Sequence, residues 1–187
     1  MVAKPIEPGK IIAMNIKKIS GVYFVLLIAA SLGAGAAFFS QALAAEPGAQ
    51  LVGKPLALKF TAVDGKAVDL EKMRGKVVLV DYWATWCGPC VKELPHVKAA
   101  YDKLHAKGFE IVGISFDEDK DALTKFVAKN KMEWPQYFDG KGWDNKFGKQ
   151  FGIEAIPAMW LIDKKGHLRD LAGRDNLAAK VEKLLAE

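Results

Sequence analysis

The chain has 187 residues, with 27 lysine and arginine residues against 22 acidic ones and a formal net charge of +5. Four lysines and one glutamate lie in residues 1–44, so the remaining chain carries 23 basic and 21 acidic side chains, a net charge of +2. This balance gives no indication of a nucleic-acid-binding surface. About 140 residues beyond position 44 suffice for one domain with one hydrophobic core.

The N-terminal region has the pattern of a targeting segment. No charged residue occurs between Ile19 and Ala45, and Lys17 and Lys18 precede this uncharged stretch. Residues 42–44 have the Ala-Leu-Ala form of a signal-peptidase site. The basic residues are expected to stay inside the cell, so the remainder of the chain is predicted to be exported across the inner membrane.

This pattern divides the chain into two predicted parts. Residues 1–44 form a signal peptide, with cleavage expected before Ala45, or an uncleaved membrane anchor, because about 20 uncharged residues can span a bilayer. Residues 45–187 form a single domain. Only the sequence from Met14 onward resembles a standard signal peptide, so the start codon is either Met1 or Met14.

Hydrophobic periodicity and turn signals predict alternating strands and helices in this domain. In chain order, the predicted elements are a hairpin of Leu56–Val63 and Lys66–Leu70 around Asp64-Gly65, a strand Val77–Trp83, a helix from about Pro89 to His105, a strand Phe109–Phe116, a helix capped by Asp117 or Asp119 that ends near Asn130, a short strand Trp134–Phe138, a short helix Trp143–Phe151, strands Met159–Ile162 and Leu168–Ala172, and a helix capped by Asp175 or Asn176. This order indicates an α/β fold with a mixed sheet.

The only two cysteines, Cys87 and Cys90, form a Cys-Gly-Pro-Cys motif between the first central strand and its helix. Cys90 begins an apolar helical stripe, so it is expected to be buried, whereas Cys87 is expected at the exposed first turn. A helix N-terminus lowers a cysteine pKa, which favours Cys87 as the attacking thiolate and Cys90 as the resolving thiol. Pro89 suits the opening turn, and Gly88 is expected to leave that turn unobstructed.

Other uses of the cysteines fit the sequence less well. A zinc site with His96 and His105 would have the spacing C-x2-C-x5-H-x8-H, which matches no common zinc pattern. Haem attachment requires histidine directly after the second cysteine, where this chain has valine. A purely structural disulfide would close too small a loop to stabilise the fold much. No metal and no cofactor other than a redox-active Cys87–Cys90 disulfide is therefore expected.

Two acidic residues are candidates for proton transfer to the dithiol. Asp81 lies inside the predicted central strand, where burial would raise its pKa towards neutrality, so that it can exchange a proton with Cys90. Glu93 lies one helical turn beyond Cys90 and can perturb the same thiol. The alternatives are that Asp81 reaches water at a strand end and that Glu93 is an ordinary solvated residue. Trp86 is expected to present an exposed apolar surface beside the nucleophile.

The sequence resembles the thioredoxin family at several separated positions. The segment Asp81-Tyr-Trp-Ala-Thr-Trp-Cys-Gly-Pro-Cys90 is similar to the family's active-site strand and turn, Pro95 to its helix kink, residues 152–157 to its cis-proline loop and Gly173 to a glycine of its last strand. The resemblance covers about residues 51–187 and implies a thioredoxin fold.

Further features are similar to the exported TlpA/ResA-like group within that family. They are the targeting segment, the N-terminal hairpin, a central insertion at residues 131–150, and Glu93 in Cys-Val-Lys-Glu-Leu-Pro. One position departs, because the group often has asparagine where this chain has Asp81. With both Asp81 and Glu93 present, the residue that transfers the proton stays open.

This resemblance implies an exported thiol–disulfide oxidoreductase, and the Gly-Pro dipeptide favours a reductase of protein disulfides. It implies a cis Ile156–Pro157 bond whose backbone edge pairs with substrate beside Trp86, Gly88 and Pro89. It also implies a membrane-associated or periplasmic monomer that receives electrons from a membrane thiol transporter of the CcdA/DsbD kind. The implied substrates are exported protein disulfides, including those of apocytochrome c during cytochrome c maturation. The sequence selects neither the substrate nor the donor.

Three other functions are alternatives to this prediction. A thiol peroxidase of the peroxiredoxin branch needs a Pro-x-x-x-Thr/Ser-x-x-Cys loop, but Thr85 is one residue too close to Cys87 and no such proline precedes it. A copper carrier would use both thiolates and His167. A protein-binding domain with a vestigial dithiol is the third alternative. Pro157 could also merely begin an edge strand.

Overall fold

The computed structural model describes residues 1–4 and 47–187, which belong to one compact unit. In chain order the structure contains β1 (Val2–Ala3), a 3-10 turn (Ala49–Leu51), β2 (Lys59–Thr61), β3 (Ala67–Asp69), a 3-10 turn (Leu70–Met73), β4 (Val77–Trp83), α1 (Gly88–Leu104), a 3-10 turn (His105–Lys107), β5 (Phe109–Ser115), α2 (Lys120–Lys129), β6 (Gln136–Tyr137), a 3-10 turn (Gly142–Asp144), α3 (Lys146–Phe151), β7 (Ala155–Ile156), β8 (Ala158–Ile162), β9 (Leu168–Asp170) and α4 (Leu177–Ala186).

A five-stranded mixed sheet in the order β6-β5-β4-β8-β9 forms the centre of the domain. The strands β4, β5 and β6 are parallel, while β8 runs antiparallel to β4 and β9 antiparallel to β8. All seven residues of β4 are buried, as expected for a central strand that is covered on both faces. Helix α1 contacts both β5 and α4. The predicted α/β class with a mixed sheet is therefore confirmed.

The predicted N-terminal hairpin and central insertion pack against each other. Strands β2 and β3 pair around the expected turn, although both are shorter than predicted. The ring of Phe60 on β2 lies 5.2 Å from that of Tyr137 and 5.9 Å from that of Phe147, both of which belong to the insertion. These aromatic contacts join two regions that are about 80 residues apart in the sequence.

Two predicted helices differ from those observed. The predicted helix Trp143–Phe151 is divided, because the Asn145 side chain accepts the N–H groups of Phe147 and Gly148 and so begins α3 anew after the 3-10 turn. The predicted side-chain cap of α4 is wrong. Asn176 occupies the cap position with a φ of 54° and makes no capping hydrogen bond through its side chain.

The close approach of Gly173 to β8 fixes the loop after β9. Its N–H donates to the Met159 carbonyl oxygen at 2.8 Å. A methyl group at position 173 would lie 2.8 Å from that same oxygen and 3.2 Å from Leu161 Cγ. Position 173 therefore requires glycine because a side chain would not fit. Its backbone conformation is not the reason, since Gly173 is not among the described glycines with a positive φ.

We expect Gly173→Ala to lower the free energy of unfolding by about 1–3 kcal/mol, because the added methyl group must displace strand backbone. Chemical denaturation of the full chain measures this change. Gly88→Ala is a matched control, since a methyl group there meets no atom within 4 Å and its φ is also not positive. Equal stability of the two variants would show that the loop tolerates a side chain at position 173.

The predicted targeting segment lies outside the described residues, as does its expected cleavage site before Ala45. Within residues 1–4 and 47–187, no helix has both the length and the apolar character needed to cross a membrane. The division into residues 1–44 and 45–187 stays a prediction, and residues 1–4 pack with the domain through the pairing of β1 with β7.

Candidate active site

Cys87 and Cys90 form a disulfide at the N-terminus of α1, with their Cα atoms 5.2 Å apart. Cys87 is the N-cap residue, and its Sγ atom accepts the backbone N–H of Cys90 at 3.2 Å. Pro89 stands in the first turn, where the absence of an N–H group costs little. The helix therefore directs a donor and the positive end of its dipole at the Cys87 sulfur, which stabilises a thiolate there once the disulfide is reduced.

The expected difference in exposure between the two cysteines is wrong for this oxidised state. Cys87 is 0% exposed and Cys90 is 6% exposed, so both are buried. The Cys87 sulfur points into the helix end, where it binds the Cys90 N–H and is joined to the second sulfur. The burial of Cys90 within the apolar stripe of α1 is as predicted.

Gly88 and Pro89 lie between the two cysteines in the sequence, and the turn at Gly88 is unobstructed, as expected. The position has an ordinary φ, and a methyl group would meet no atom within 4 Å. Glycine is therefore not required there for the turn to close.

The turn before Cys87 is held by a buried carboxylate that the sequence analysis did not identify. Asp117 is 2% exposed, and its two oxygens accept the Thr85 N–H, each at 3.1 Å, and the Thr85 hydroxyl. Ser115 donates its hydroxyl to the same carboxylate at 2.8 Å. Asp117 was predicted only as a possible helix cap, a role that Asp119 fills. The available signal was that Ser-Phe-Asp ends a strand parallel to the active-site strand.

Asp81 is a buried carboxyl group in the middle of the sheet. Its side chain is 5% exposed, and its Oδ1 atom has no hydrogen-bond partner among the described residues. Burial, and secondly the negative charge of Glu93, raise the pKa of Asp81 from 3.8 to about 7. The alternative of a solvated strand end is therefore wrong. A carboxyl group with this pKa can both take up and release a proton near neutral pH.

Glu93 is not the solvated residue of the alternative prediction, because only 13% of its side chain is exposed. Its Oε2 atom accepts a hydrogen bond from Arg174 Nε at 3.1 Å, and its Oε1 atom lies 3.2 Å from His96 Nδ1. The side chain of His96 is 77% exposed. Arg174 was not predicted as a partner, because it is 81 residues away from Glu93 and carries no local signal.

The Ile156–Pro157 peptide bond is cis, as predicted. Ala158 lies opposite Tyr82 in the antiparallel pairing of β8 with β4, so the start of β8 and the end of β4 lie at the same end of the sheet. The cysteine turn and Pro157 therefore also lie at that end. A groove of about 490 Å³, lined mainly by apolar side chains, adjoins Pro157.

The backbone beside Pro157 has the geometry to pair with an extended segment. In the structure, Val2 lies opposite Ile156 and Ala3 opposite Ala155 in an antiparallel pair. The Lys4 N–H extends this pairing by donating to the Glu154 carbonyl oxygen at 2.8 Å. A segment of the same chain thus occupies this backbone edge.

Trp86 is the most exposed tryptophan and lies directly before Cys87. It is 47% exposed, and its ring centre lies 6.0 Å from that of Trp143 in the insertion. Trp83, Trp134 and Trp160 are each at most 3% exposed and belong to the core. The insertion therefore adds a second aromatic ring beside the exposed Trp86.

The ligand set of the copper-carrier alternative is not brought together. His167 lies in the turn after β8, and β8 begins next to Pro157, so about 16 Å of strand separates them. His167 instead lies near Asp163, with 3.9 Å between its Nδ1 atom and the carboxylate. In residues 1–4 and 47–187, no three histidine, cysteine or acidic side chains cluster as metal ligands.

Comparisons with known proteins agree with this site. The Redoxin family model matches residues 46–185. The chain is 36% identical over 106 residues to the thiol-disulfide oxidoreductase ResA of Bacillus thuringiensis subsp. konkukian, a match that spans 57% of this chain and 60% of the relative. It is 35% identical over 153 residues to the thiol:disulfide interchange protein DsbE of Pseudomonas fluorescens biotype C, covering 76% of this chain and 83% of that one.

A solved structure shares the arrangement of strands and helices. The thioredoxin domain of a thiol-disulfide oxidoreductase from Bacteroides vulgatus superimposes with a TM-score of 0.64 at 30% identity, covering 72% of this chain and 97% of that one. The predicted thioredoxin fold is therefore confirmed, and the chain belongs to the Redoxin family, among its TlpA/ResA-like members.

Proposed function

We propose that this protein is an exported thiol–disulfide oxidoreductase that reduces disulfides in other proteins. The observation that carries the proposal is the Cys87–Cys90 disulfide at the start of α1, at the same end of the sheet as Pro157. The printed names of the relatives, thiol-disulfide oxidoreductase and thiol:disulfide interchange protein, support the same chemistry. No observation at the site favours a thiol peroxidase, and the Thr85 hydroxyl is engaged by Asp117.

The reaction starts from the reduced dithiol. The Cys87 thiolate attacks one sulfur of a substrate disulfide, a mixed disulfide forms, and the first substrate thiolate leaves. Cys90 then loses its proton, for which Asp81 is the proposed acceptor, and attacks the Cys87 sulfur. The second substrate thiolate leaves, the substrate has gained two electrons, and the Cys87–Cys90 disulfide is restored. Glu93 acts on this step through its charge near Asp81.

Substrate is proposed to bind as an added strand along Ala155 and Ile156, next to Pro157. The antiparallel pairing of Val2 and Ala3 with this edge supports the proposal, since it demonstrates that an extended backbone fits there. Cleavage before Ala45 would remove that segment and leave the edge open. Trp86 adds an exposed apolar surface that a substrate can cover.

The redox cycle requires a supply of electrons to the extracytoplasmic side of the membrane. Disulfides form readily in exported proteins, so a dithiol that acts as a reductant there must be reset after each turnover. We propose a membrane thiol transporter of the CcdA/DsbD kind as donor and exported protein disulfides, including those of apocytochrome c, as substrates. The protein is proposed to act as a monomer at the extracytoplasmic face of the inner membrane.

The reduction potential of the Cys87–Cys90 pair tests the proposed direction of electron flow. We expect a value of about −270 mV or lower, which is typical of thioredoxin-like reductants, in a titration of the full chain against glutathione or dithiothreitol followed by tryptophan fluorescence. A value near −120 mV is typical of a disulfide donor and would reverse the proposed direction. A dithiol that reduces no protein disulfide, tested with insulin, would instead support a binding domain.

A further inference from the structure

We propose that Arg174 is a positioning residue, which holds the Glu93 carboxylate within electrostatic reach of Asp81 and thereby sets the proton affinity of the active-site carboxyl group. The catalytic significance of Arg174 rests on the proposed oxidoreductase function, but the contact between Arg174 and Glu93 does not. Neither the sequence pattern nor the chemistry of the dithiol alone points to this residue.

The fold delivers Arg174 to this place through the loop that follows β9. The Gly173 N–H binds the Met159 carbonyl oxygen at 2.8 Å, and Ala172 forms a bridge with the same residue. Met159 lies directly opposite Asp81 in the pairing of β8 with β4. The backbone at Gly173 is thus fixed to the strand position beside Asp81, and the next side chain in the loop is Arg174.

The Glu93 carboxylate is held through both of its oxygens. Arg174 Nε donates to one oxygen at 3.1 Å, and His96 Nδ1 lies 3.2 Å from the other. The arginine is charged at every physiological pH, whereas His96 is 77% exposed and carries a charge only when protonated. Only 13% of the Glu93 side chain is exposed, and of its two partners Arg174 is the one that keeps its charge at every physiological pH.

The position of this negative charge matters because no cation among residues 1–4 and 47–187 forms an ion pair with Asp81. Burial raises the pKa of Asp81 to about 7, and the charge of Glu93 is the second cause. The ionisable groups in direct contact with Glu93 are Arg174 from the β9–α4 loop and His96 from α1, and Glu93 is the charged group that acts on Asp81. A change in where Glu93 points must therefore change how readily Asp81 ionises.

Two roles of Arg174 predict opposite shifts, which makes the proposal testable. If Arg174 positions Glu93, then Arg174→Ala releases the glutamate into solvent, its charge moves away, and the pKa of Asp81 falls. If Arg174 only screens a carboxylate that stays in place, its removal exposes Asp81 to the full negative charge and the pKa of Asp81 rises. The sign of the shift separates the two roles.

The experiment is a carbon-13 NMR titration of the aspartate carboxyl groups in the oxidised full chain, where the disulfide leaves no cysteine to titrate. The Asp81 signal is assigned by its absence in Asp81→Asn. We expect a midpoint of about 7 in the unmodified protein and lower midpoints in both Glu93→Gln and Arg174→Ala. Arg174→Lys keeps the positive charge without the same Nε donor and is expected to lie between Arg174→Ala and the unmodified protein.

The double variant Arg174→Ala/Glu93→Gln is expected to match Glu93→Gln alone, because Arg174 acts only through Glu93. Arg169→Ala is the matched control. Arg169 lies in β9 and also pairs with carboxylates, those of Asp163 and Glu187, and its loss should leave the Asp81 midpoint unchanged. An unchanged or raised midpoint in Arg174→Ala, or an additive effect in the double variant, would overturn the proposal.

Insulin reduction by the same variants separates this inference from the proposed function. A lowered Asp81 midpoint in a protein that reduces no disulfide would support the role of Arg174 and refute the oxidoreductase function. Normal reduction of insulin with an unshifted midpoint in Arg174→Ala would retain the function and refute the role of Arg174.

Discussion

Cys90→Ser is expected to accumulate a covalent complex with its protein substrate, whereas Cys87→Ser is expected to form none and to lose disulfide reduction entirely. Cys87 is the residue at which the Cys90 N–H and the helix N-terminus stabilise a thiolate, so it alone can begin the attack. Cys90 lies in the buried stripe of α1 and acts only on the mixed disulfide that results. Without its thiol, the intermediate cannot resolve from within.

This prediction is checked by incubating each reduced variant with insulin and separating the products on a non-reducing gel. Mass spectrometry then identifies the joined cysteine, and insulin turbidity gives the rate of turnover. We expect activity to fall by at least about 10³-fold in both variants, since each removes one half of the exchange. Circular dichroism verifies the fold. A trapped complex in Cys87→Ser but not in Cys90→Ser would reverse the assigned roles.

Asp81→Asn is expected to stabilise the protein in alkaline solution while it slows disulfide exchange. The pKa of Asp81 is taken as 3.8 in the unfolded chain. In the folded protein it is about 7, raised first by burial and second by the charge of Glu93. Between these pH values the unfolded chain releases the proton and the folded chain keeps it. The free energy of unfolding therefore falls as pH rises through this window and levels off above about pH 7.

The asparagine at position 81 does not titrate, so the free energy of unfolding of this variant does not fall in that pH range. At pH 8 we expect it to exceed the unmodified protein by up to about 4 kcal/mol in free energy of unfolding, with the difference vanishing below pH 4. Urea denaturation of both oxidised proteins across pH 4 to 9 measures this difference. Insulin reduction at pH 7 is expected to fall by about 10-fold or more, because the proposed proton acceptor is gone.

Asp163→Asn is a control for which we expect the opposite change in the free energy of unfolding. Asp163 is also buried, and burial by itself raises its pKa, but hydrogen bonds from the His167 and Lys165 N–H groups and from Arg169 outweigh burial and lower it. Its stabilising contribution is present above pH 3.8 and is lost as acid protonates it. We expect the control to lose stability at pH 8. A matching loss in Asp81→Asn would contradict the burial argument, and unchanged exchange rates over pH 6 to 9 would remove Asp81 from proton transfer.

Residues whose roles depend on local patterns were predictable from the sequence. The strand Val77–Trp83 was placed at its observed bounds, because a run that is apolar except for Asp81 is typical of a central strand. The position of the cysteine pair at the start of α1, the exposure of Trp86 and the cis bond before Pro157 also followed from short segments. Each of these features depends on neighbours within about one turn or one strand, or on a motif that can be recognised whole.

The surroundings of the carboxyl groups were decided by tertiary contacts. Arg174 reaches Glu93 across 81 residues, and Asp117 reaches Thr85 across 32, through loops whose course no local pattern specifies. The burial of Cys87 likewise depends on where its sulfur points within the assembled site.

The sequence by itself determined the chemistry of this protein, because a Cys-x-x-C pair at a helix start and a carboxyl group in a buried strand are local arrangements. Only the tertiary structure decided which charges act on that chemistry. The electrostatic environment of a buried group is set by side chains that the fold brings together, here Glu93, whose charge acts on Asp81, and the distant Arg174, which pairs with Glu93.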